Sequence, residues 1–146
     1  MPDRKTVERA REDARECKSP STQAGEFVRE EIHHIREGKH GARSAQQAIA
    51  IGLSEARRAG VKLSAPKGSA STRKKAAQDM KAAKEGSRRK TSVTRSRAAE
   101  GALKRESRSA ASHEALSRRA KKSAAKRGKQ GRRQAAVRAA RTRKAA

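Results

Sequence analysis

SPSTQAGEFVREEIHHIREGKHGARSAQQAIAIGLSEARRAGVKL, residues Ser19 to Leu63, carries the densest run of large apolar side chains in the 146-residue chain. Two amphipathic runs, Pro20 to Glu37 and Ala45 to Ala59, flank the turn Gly38-Lys39-His40-Gly41-Ala42-Arg43, the sequence form of a helical hairpin. In the first run Ala24, Phe27, Val28, Ile32 and Ile35 fall at i, i+3, i+4, i+8 and i+11 and define the face expected to be buried. Glu26, Arg29, Glu30, Arg36 and Glu37 are expected to face water. Ser19 and Pro20 suit the N-cap and the first helical position, and Gly38 suits the C-terminal end. In the second run Ser44 and Gln47 read as a capping box, and Ala45, Ala48, Ile49, Gly52, Leu53 and Ala56 form the inner face. Ile51 points away from that stripe, toward the first helix or a second subunit. Gly60-Val61 has the pattern of a Schellman ending, with Val61 folding back on Ala56.

Upstream, Asp3 to Cys17 has dense opposite charges at helical spacing, so residues 1–18 read as a charged, solvated helix with a narrow stripe of Val7, Ala10, Ala14 and Cys17. Downstream of Leu63 the composition turns to Ala, Lys, Arg and Ser. Thr72 to Glu85, Val93 to Glu106 and Ser112 to Arg127 are rich enough in helix formers to be helical, yet they offer few apolar side chains larger than Ala. The expected fold is therefore all-α. A small helical hairpin (19–63), or a three-helix N-terminal unit with 1–18, is followed by a basic, partly helical or disordered C-terminal tail (64–146). A core this small invites support from a partner, so a homodimer through the hairpin is one expectation.

Charge divides the chain unevenly. The net charge is +25, with +3 on residues 1–63 and +22 on residues 64–146. Such a tail collects polyanions, which makes nucleic acid the leading partner and an anionic surface the second. The side chains expected to hold phosphates are Lys39 and Arg43 in the turn, Arg73, Lys74 and Lys75, and Arg88, Arg89 and Lys90. Farther on come Arg118, Arg119, Lys121, Lys122, Lys126 and Arg127, then Arg132, Arg133, Arg138, Arg141, Arg143 and Lys144. Lys and Arg spread along flexible segments position a backbone without reading bases, so little sequence preference is expected. Phe27 is the one aromatic residue and falls in the expected core, which favours double-stranded DNA over single strands and leaves RNA bound through its backbone as a second target. A helix-turn-helix reader with Gln46, Gln47 and Arg57 or Arg58 outward is the weaker alternative, since the turn is long and Ala50 and Ile51 read bases poorly.

Other classes of function find little support. The longest apolar run, Ala48 to Leu53, is too short for a membrane span, and the lone Cys17 suits a reducing compartment; a cytoplasmic, nucleoid-associated protein is expected. No nucleophile–base order, phosphate loop or paired-acid pocket appears, so no enzyme activity and no cofactor is expected. Glu30-Glu31-Ile32-His33-His34 contains two Glu-x-x-His pairs, and His40 follows. A metal site would need more ligands than Glu55 on the next helix, so these residues read as a solvated helix face and no metal is expected.

The segment EFVREEIHHIREGKHGARSAQQAIAIGLSEARRAGVKL, with its KHGARS and QAIAIGLSEARRAG motifs, resembles a family of small, basic, uncharacterised bacterial proteins. ALKRESRSAASHEALSRRAKKSAAKRG is similar to a second segment of the same proteins. The family's labels, DNA-binding or plasmid stabilisation protein, imply a nucleic-acid role without assigning residues. The Lys/Ala-rich end also resembles linker-histone-like tails in composition, which implies DNA coating. The expected function is thus non-sequence-specific DNA binding, nucleoid- or plasmid-associated. The alternative is a protein-interaction module whose basic tail localises it to DNA, rRNA or an anionic surface.

Overall fold

The computed structural model describes residues 2–85 and 92–145, and all the regular structure among them is helical. In chain order these are α1 (Arg4–Arg15), α2 (Pro20–Glu37), α3 (Ala45–Arg58), α4 (Ala70–Glu85), α5 (Val93–Lys104), a 3-10 turn (Arg108–Ala111), α6 (His113–Lys126) and α7 (Gly128–Ala145). The hairpin is α2–α3, and its ends are set by the expected residues. Ser19 Oγ accepts from the Thr22 N–H at 3.3 Å with Pro20 in the first turn, and Gly38 closes α2 in the left-handed region. Ser44 Oγ accepts from the Gln47 N–H at 3.2 Å, while Gln47 Oε1 reaches back to the Arg43 N–H at 2.8 Å, one residue earlier than a strict capping box. The Val61 N–H bonds the Ala56 carbonyl and the Gly60 N–H bonds that of Arg57, both at 3.0 Å, which is the Schellman pattern.

The core consists of two apolar clusters along α2. In one, Phe27 and Ala24 pack with Ala10 of α1, Ala56 and Val61, with Val7, Leu53 and Leu63 at the edge. In the other, Ile32 and Ile35 pack with Ala42, Ala48, Ala110 and Ala111, edged by Val28 and Leu116. The two hairpin helices come into close backbone contact at Gly52: a Cβ there would lie 2.8 Å from Val28 Cα and 2.9 Å from the Phe27 carbonyl oxygen. Gly52 thus belongs to the inner face because only hydrogen fits.

Of the expected partly helical or disordered tail, the helical reading holds for the described residues beyond Leu63: they are mostly helical, with α4, α5 and α6 where the composition placed them, and unlike a bare tail they contribute to the core. Ala110 and Ala111 are 4% and 1% exposed. The physical reason is that the gap beside Ala42 and Ala48 is small, so alanine fills it, and a search for large apolar residues passes over it. Backbone bonds hold the segment in place: the Gly41 N–H donates to the Leu103 carbonyl at 2.9 Å and the Ala42 N–H to that of Ser107 at 3.1 Å. Arg36 Nε adds a bond to the Ala111 carbonyl at 3.0 Å. On the other side of α3, α4 is docked through the buried Asp79, which accepts from Ser54 Oγ at 2.7 Å and from Lys75 Nζ at 2.6 Å. Ile51 is half-buried and stands at i, i+3 to Ser54, the α3 residue that bonds Asp79 of α4.

Two residues past the end of α1, Cys17 lies in the left-handed region at φ 57° so that the Lys18 N–H can reach the Asp13 carbonyl at 2.9 Å. A side chain there is strained, and Cys17 is exposed with no packing to lose. Cys17→Gly is expected to raise the unfolding free energy by about 0.5–1 kcal/mol in urea titrations, whereas Cys17→Ala, which keeps the Cβ, leaves it unchanged.

Candidate nucleic-acid interface

The contact between the hairpin turn and residues Leu103 to Ser107 has a second consequence, because it fixes α6 beside the start of α3. The result is a groove of about 410 Å³ with Arg43, Ser44 and Gln46 on one side and Ser109, Arg118, Arg119 and Lys122 on the other. Arg118, Arg119 and Lys122 stand at i, i+1 and i+4 on α6 and therefore project toward one side of that helix. Among the described residues, no acidic residue lines the groove. The first turn of α3, the positive end of its dipole, forms part of the wall.

Two details bear on what the groove can hold. Arg119 Nε is buried and has no hydrogen-bond partner, a donor that an anion's oxygen would satisfy. Arg43 is 81% exposed and meets Glu106 only at 3.7 Å, a surface pair too weak to compete with a phosphate.

The other sequence-predicted residues are distributed more widely. Lys39 is outside the groove; its ammonium pairs with Glu37 at 3.1 Å on the side of α2 facing α1. Lys39 and Arg43 are thus not brought together as one clamp. On α4, Lys75 is tied to Asp79 and Arg73 donates to the Gly68 carbonyl at 2.7 Å, while Lys74 is exposed. Lys121, Lys126 and Arg127 are exposed on or just after α6, and Arg132 is exposed on α7. Arg133, Arg138 and Arg141 share a shallow hollow along α7 with Val137, and Arg143 Nε bonds the Ala139 carbonyl at 3.3 Å. Arg88, Arg89 and Lys90, and the side chain of Lys144, lie outside the described residues. Ser109 is a groove residue that is absent from the sequence-predicted set. Spacing gives no signal for it, because the turn that places it is defined by tertiary contact.

A separate polar cluster lies where α1, α2 and the hairpin turn meet. Glu30, expected in water, is 7% exposed, and Glu31 is 3% exposed. The cause is tertiary: the Asp3 N–H, at the start of α1, donates to Glu30 Oε1 at 2.6 Å, and the turn brings His40 Nε2 to 3.6 Å from Glu31 Oε2. Burial pushes the Glu31 carboxyl up to about 7, against the pull of His40 and with help from Glu55 and Glu30, and burial raises Glu55 as well. His33, by contrast, is 66% exposed beside Glu37.

Residues 20–68 match the model of a family of unknown function (DUF6496). The match spans α2, α3, the hairpin turn and the lead into α4, and so includes Arg43 and the Glu30–His40 cluster but not the α6 wall of the groove. No curated protein and no solved structure matches the chain. Among the described residues, no helix is long and apolar enough to cross a membrane.

Proposed function

We propose that the chain binds double-stranded nucleic acid, duplex DNA foremost, by holding phosphates without reading sequence, in a nucleoid- or plasmid-associated role. The observation that carries this is the groove, in which Arg43 from the hairpin and Arg118, Arg119 and Lys122 from α6 converge with an unpartnered donor and no acid. On a chain of net charge +25, this is a fixed phosphate seat within a wider cationic field. The remaining exposed Lys and Arg of α6 and α7 extend the contact along the backbone. No reaction is part of the proposal.

Two further features favour phosphate holding over base reading. α3 is flanked by α2 and by α4, and Arg57 is 9% exposed and bonded to the Leu53 carbonyl, so α3 does not stand free to enter a groove as a recognition helix. Phe27 is fully buried, leaving no aromatic surface for stacked bases. The interaction-module alternative calls for an apolar docking face, and among the described residues the exposed large hydrophobics are Val93 and Val137.

The test is competition by fluorescence anisotropy at about physiological salt, using a labelled 30-base-pair duplex and the full chain. Unlabelled duplexes of unrelated sequence are expected to compete equally, and single strands more weakly. Strong preference for one sequence would overturn the phosphate-only reading, and absence of binding would overturn the proposal as a whole.

A further inference from the structure

We propose that the buried carboxylate–histidine cluster at the junction of α1, α2 and the hairpin turn is a site for a divalent first-row metal ion, with Glu31, His34 and His40 as its ligands. The ligand atoms of these three residues all lie within 4.8 Å of one another, and a second trio, Asp3, Glu30 and His34, meets the same limit and shares the histidine.

Burial and orphaned atoms are the first line of support. Glu31 and Glu30 are 3% and 7% exposed, and each keeps one buried carboxylate oxygen, Glu31 Oε1 and Glu30 Oε2, with no hydrogen-bond partner. Ion pairs on the far surface would leave such oxygens in water; here two carboxylates are taken out of it with half of their acceptors empty. A cation held by Glu31 supplies the partner that this carboxylate lacks.

The separations are the second line. His40 Nε2 lies 3.6 Å from Glu31 Oε2, and His34 Nε2 lies 3.7 Å from Glu30 Oε1 and 3.8 Å from Asp3 Oδ2. These are too long for hydrogen bonds. The His40–Glu31 separation, the one of the three between two proposed ligands, sits close to the edge of roughly 3.4 Å that separates two donors on a tetrahedral ion with bonds of about 2.05 Å. The rings of His34 and His40 stand edge to face at 6.2 Å, so the two imidazoles converge without stacking.

The donor set chooses the ion. Two imidazoles with carboxylates and no thiolate suit Zn²⁺, Co²⁺, Fe²⁺ or Ni²⁺ better than the all-oxygen cages of Ca²⁺ and Mg²⁺. Glu31 and His34 stand at i, i+3 on α2, while His40 arrives only because the turn folds back. The ion would therefore fasten the turn to α2, with Glu30 and Asp3 beside His34 as the outer carboxylates that orient a ligating ring.

The experiment uses full-length chain carrying Cys17→Ser, so that the exposed thiol does not compete, stripped with chelator and titrated with Co²⁺ and Zn²⁺. Expected are visible d–d absorption from Co²⁺ without thiolate charge-transfer bands, a stoichiometry of one ion per chain, displacement by Zn²⁺ and a rise in melting temperature that tracks occupancy. Glu31→Gln, which removes a buried charge and so preserves the metal-free fold, is expected to weaken affinity at least tenfold, as is His40→Gln. His33→Gln is expected to leave it unchanged. Absence of saturable binding below about 100 µM, or an affinity in Glu31→Gln and His40→Gln equal to that of the chain with both ligands intact, would overturn the proposal.

Discussion

Gly41→Ala is expected to lower the unfolding free energy by about 2–4 kcal/mol and to weaken duplex binding at the same time. A Cβ at Gly41 would stand 1.9 Å from the Glu106 carbonyl oxygen and 2.9 Å from that of Ser107. Both obstacles are backbone, so neither can rotate aside, and the hairpin turn must part from residues Leu103 to Ser107. That breaks the Gly41–Leu103 and Ala42–Ser107 backbone bonds, each worth about 1 kcal/mol. It also unseats Ala110 and Ala111 from the cluster of Ile32 and Ile35. Since the same docking places α6 beside Arg43, the two walls of the groove separate as the core loosens. Gly25→Ala is the control: nothing lies within 4 Å of a Cβ there, and the change within α2 is expected to stabilise by about 0.5–1 kcal/mol. Urea titrations and anisotropy on the same samples check both, and an unaltered midpoint for Gly41→Ala would mean that residues 103–111 do not dock on the turn.

Replacing Arg43, Arg118, Arg119 and Lys122 together by Ala is expected to reduce duplex affinity by roughly two to three orders of magnitude at about 0.15 M salt, if each holds one phosphate. The fold should survive, because three of the four are exposed, and Arg119 brings a buried donor with no partner. An unchanged or slightly higher melting temperature beside a large loss of affinity would separate this effect from unfolding. The comparison variant is Arg133, Arg138 and Arg141 to Ala on α7, with the same sign of charge change but outside the groove. A smaller loss per charge is expected there, since these side chains lie along a single helix and not between two walls of a groove.

The hairpin was legible in the sequence because its signals are local. Ser19, Pro20, Gly38, Ser44 and Gly60-Val61 act on neighbours within five residues, and Ala24, Phe27, Ile32 and Ile35 repeat at the helical period. What was not legible depends on residues far apart in the chain. Ala110 and Ala111 carry no hydrophobic signal of their own and are buried only because Gly41 allows two backbones to touch. Glu30 stands on the polar side of α2 by pattern, yet α1 covers it and Asp3 bonds it across 27 residues. The basic side chains were visible as charge, but which of them face each other was not: Lys39 and Arg43 are four apart and lie on different sides of the turn, while Arg43 and Arg118 are distant in sequence and share a groove.

The most direct test of the central claim is the dependence of duplex affinity on salt, measured for the full chain and for the four-residue groove variant between about 50 and 300 mM. If the groove holds four phosphates, the log–log plot for the native chain is steep and the variant's slope is smaller in magnitude by roughly 3.6, at about 0.9 per contact, with the native slope insensitive to duplex sequence. Parallel lines for the two proteins would contradict the account, because they would place the phosphates elsewhere on the chain.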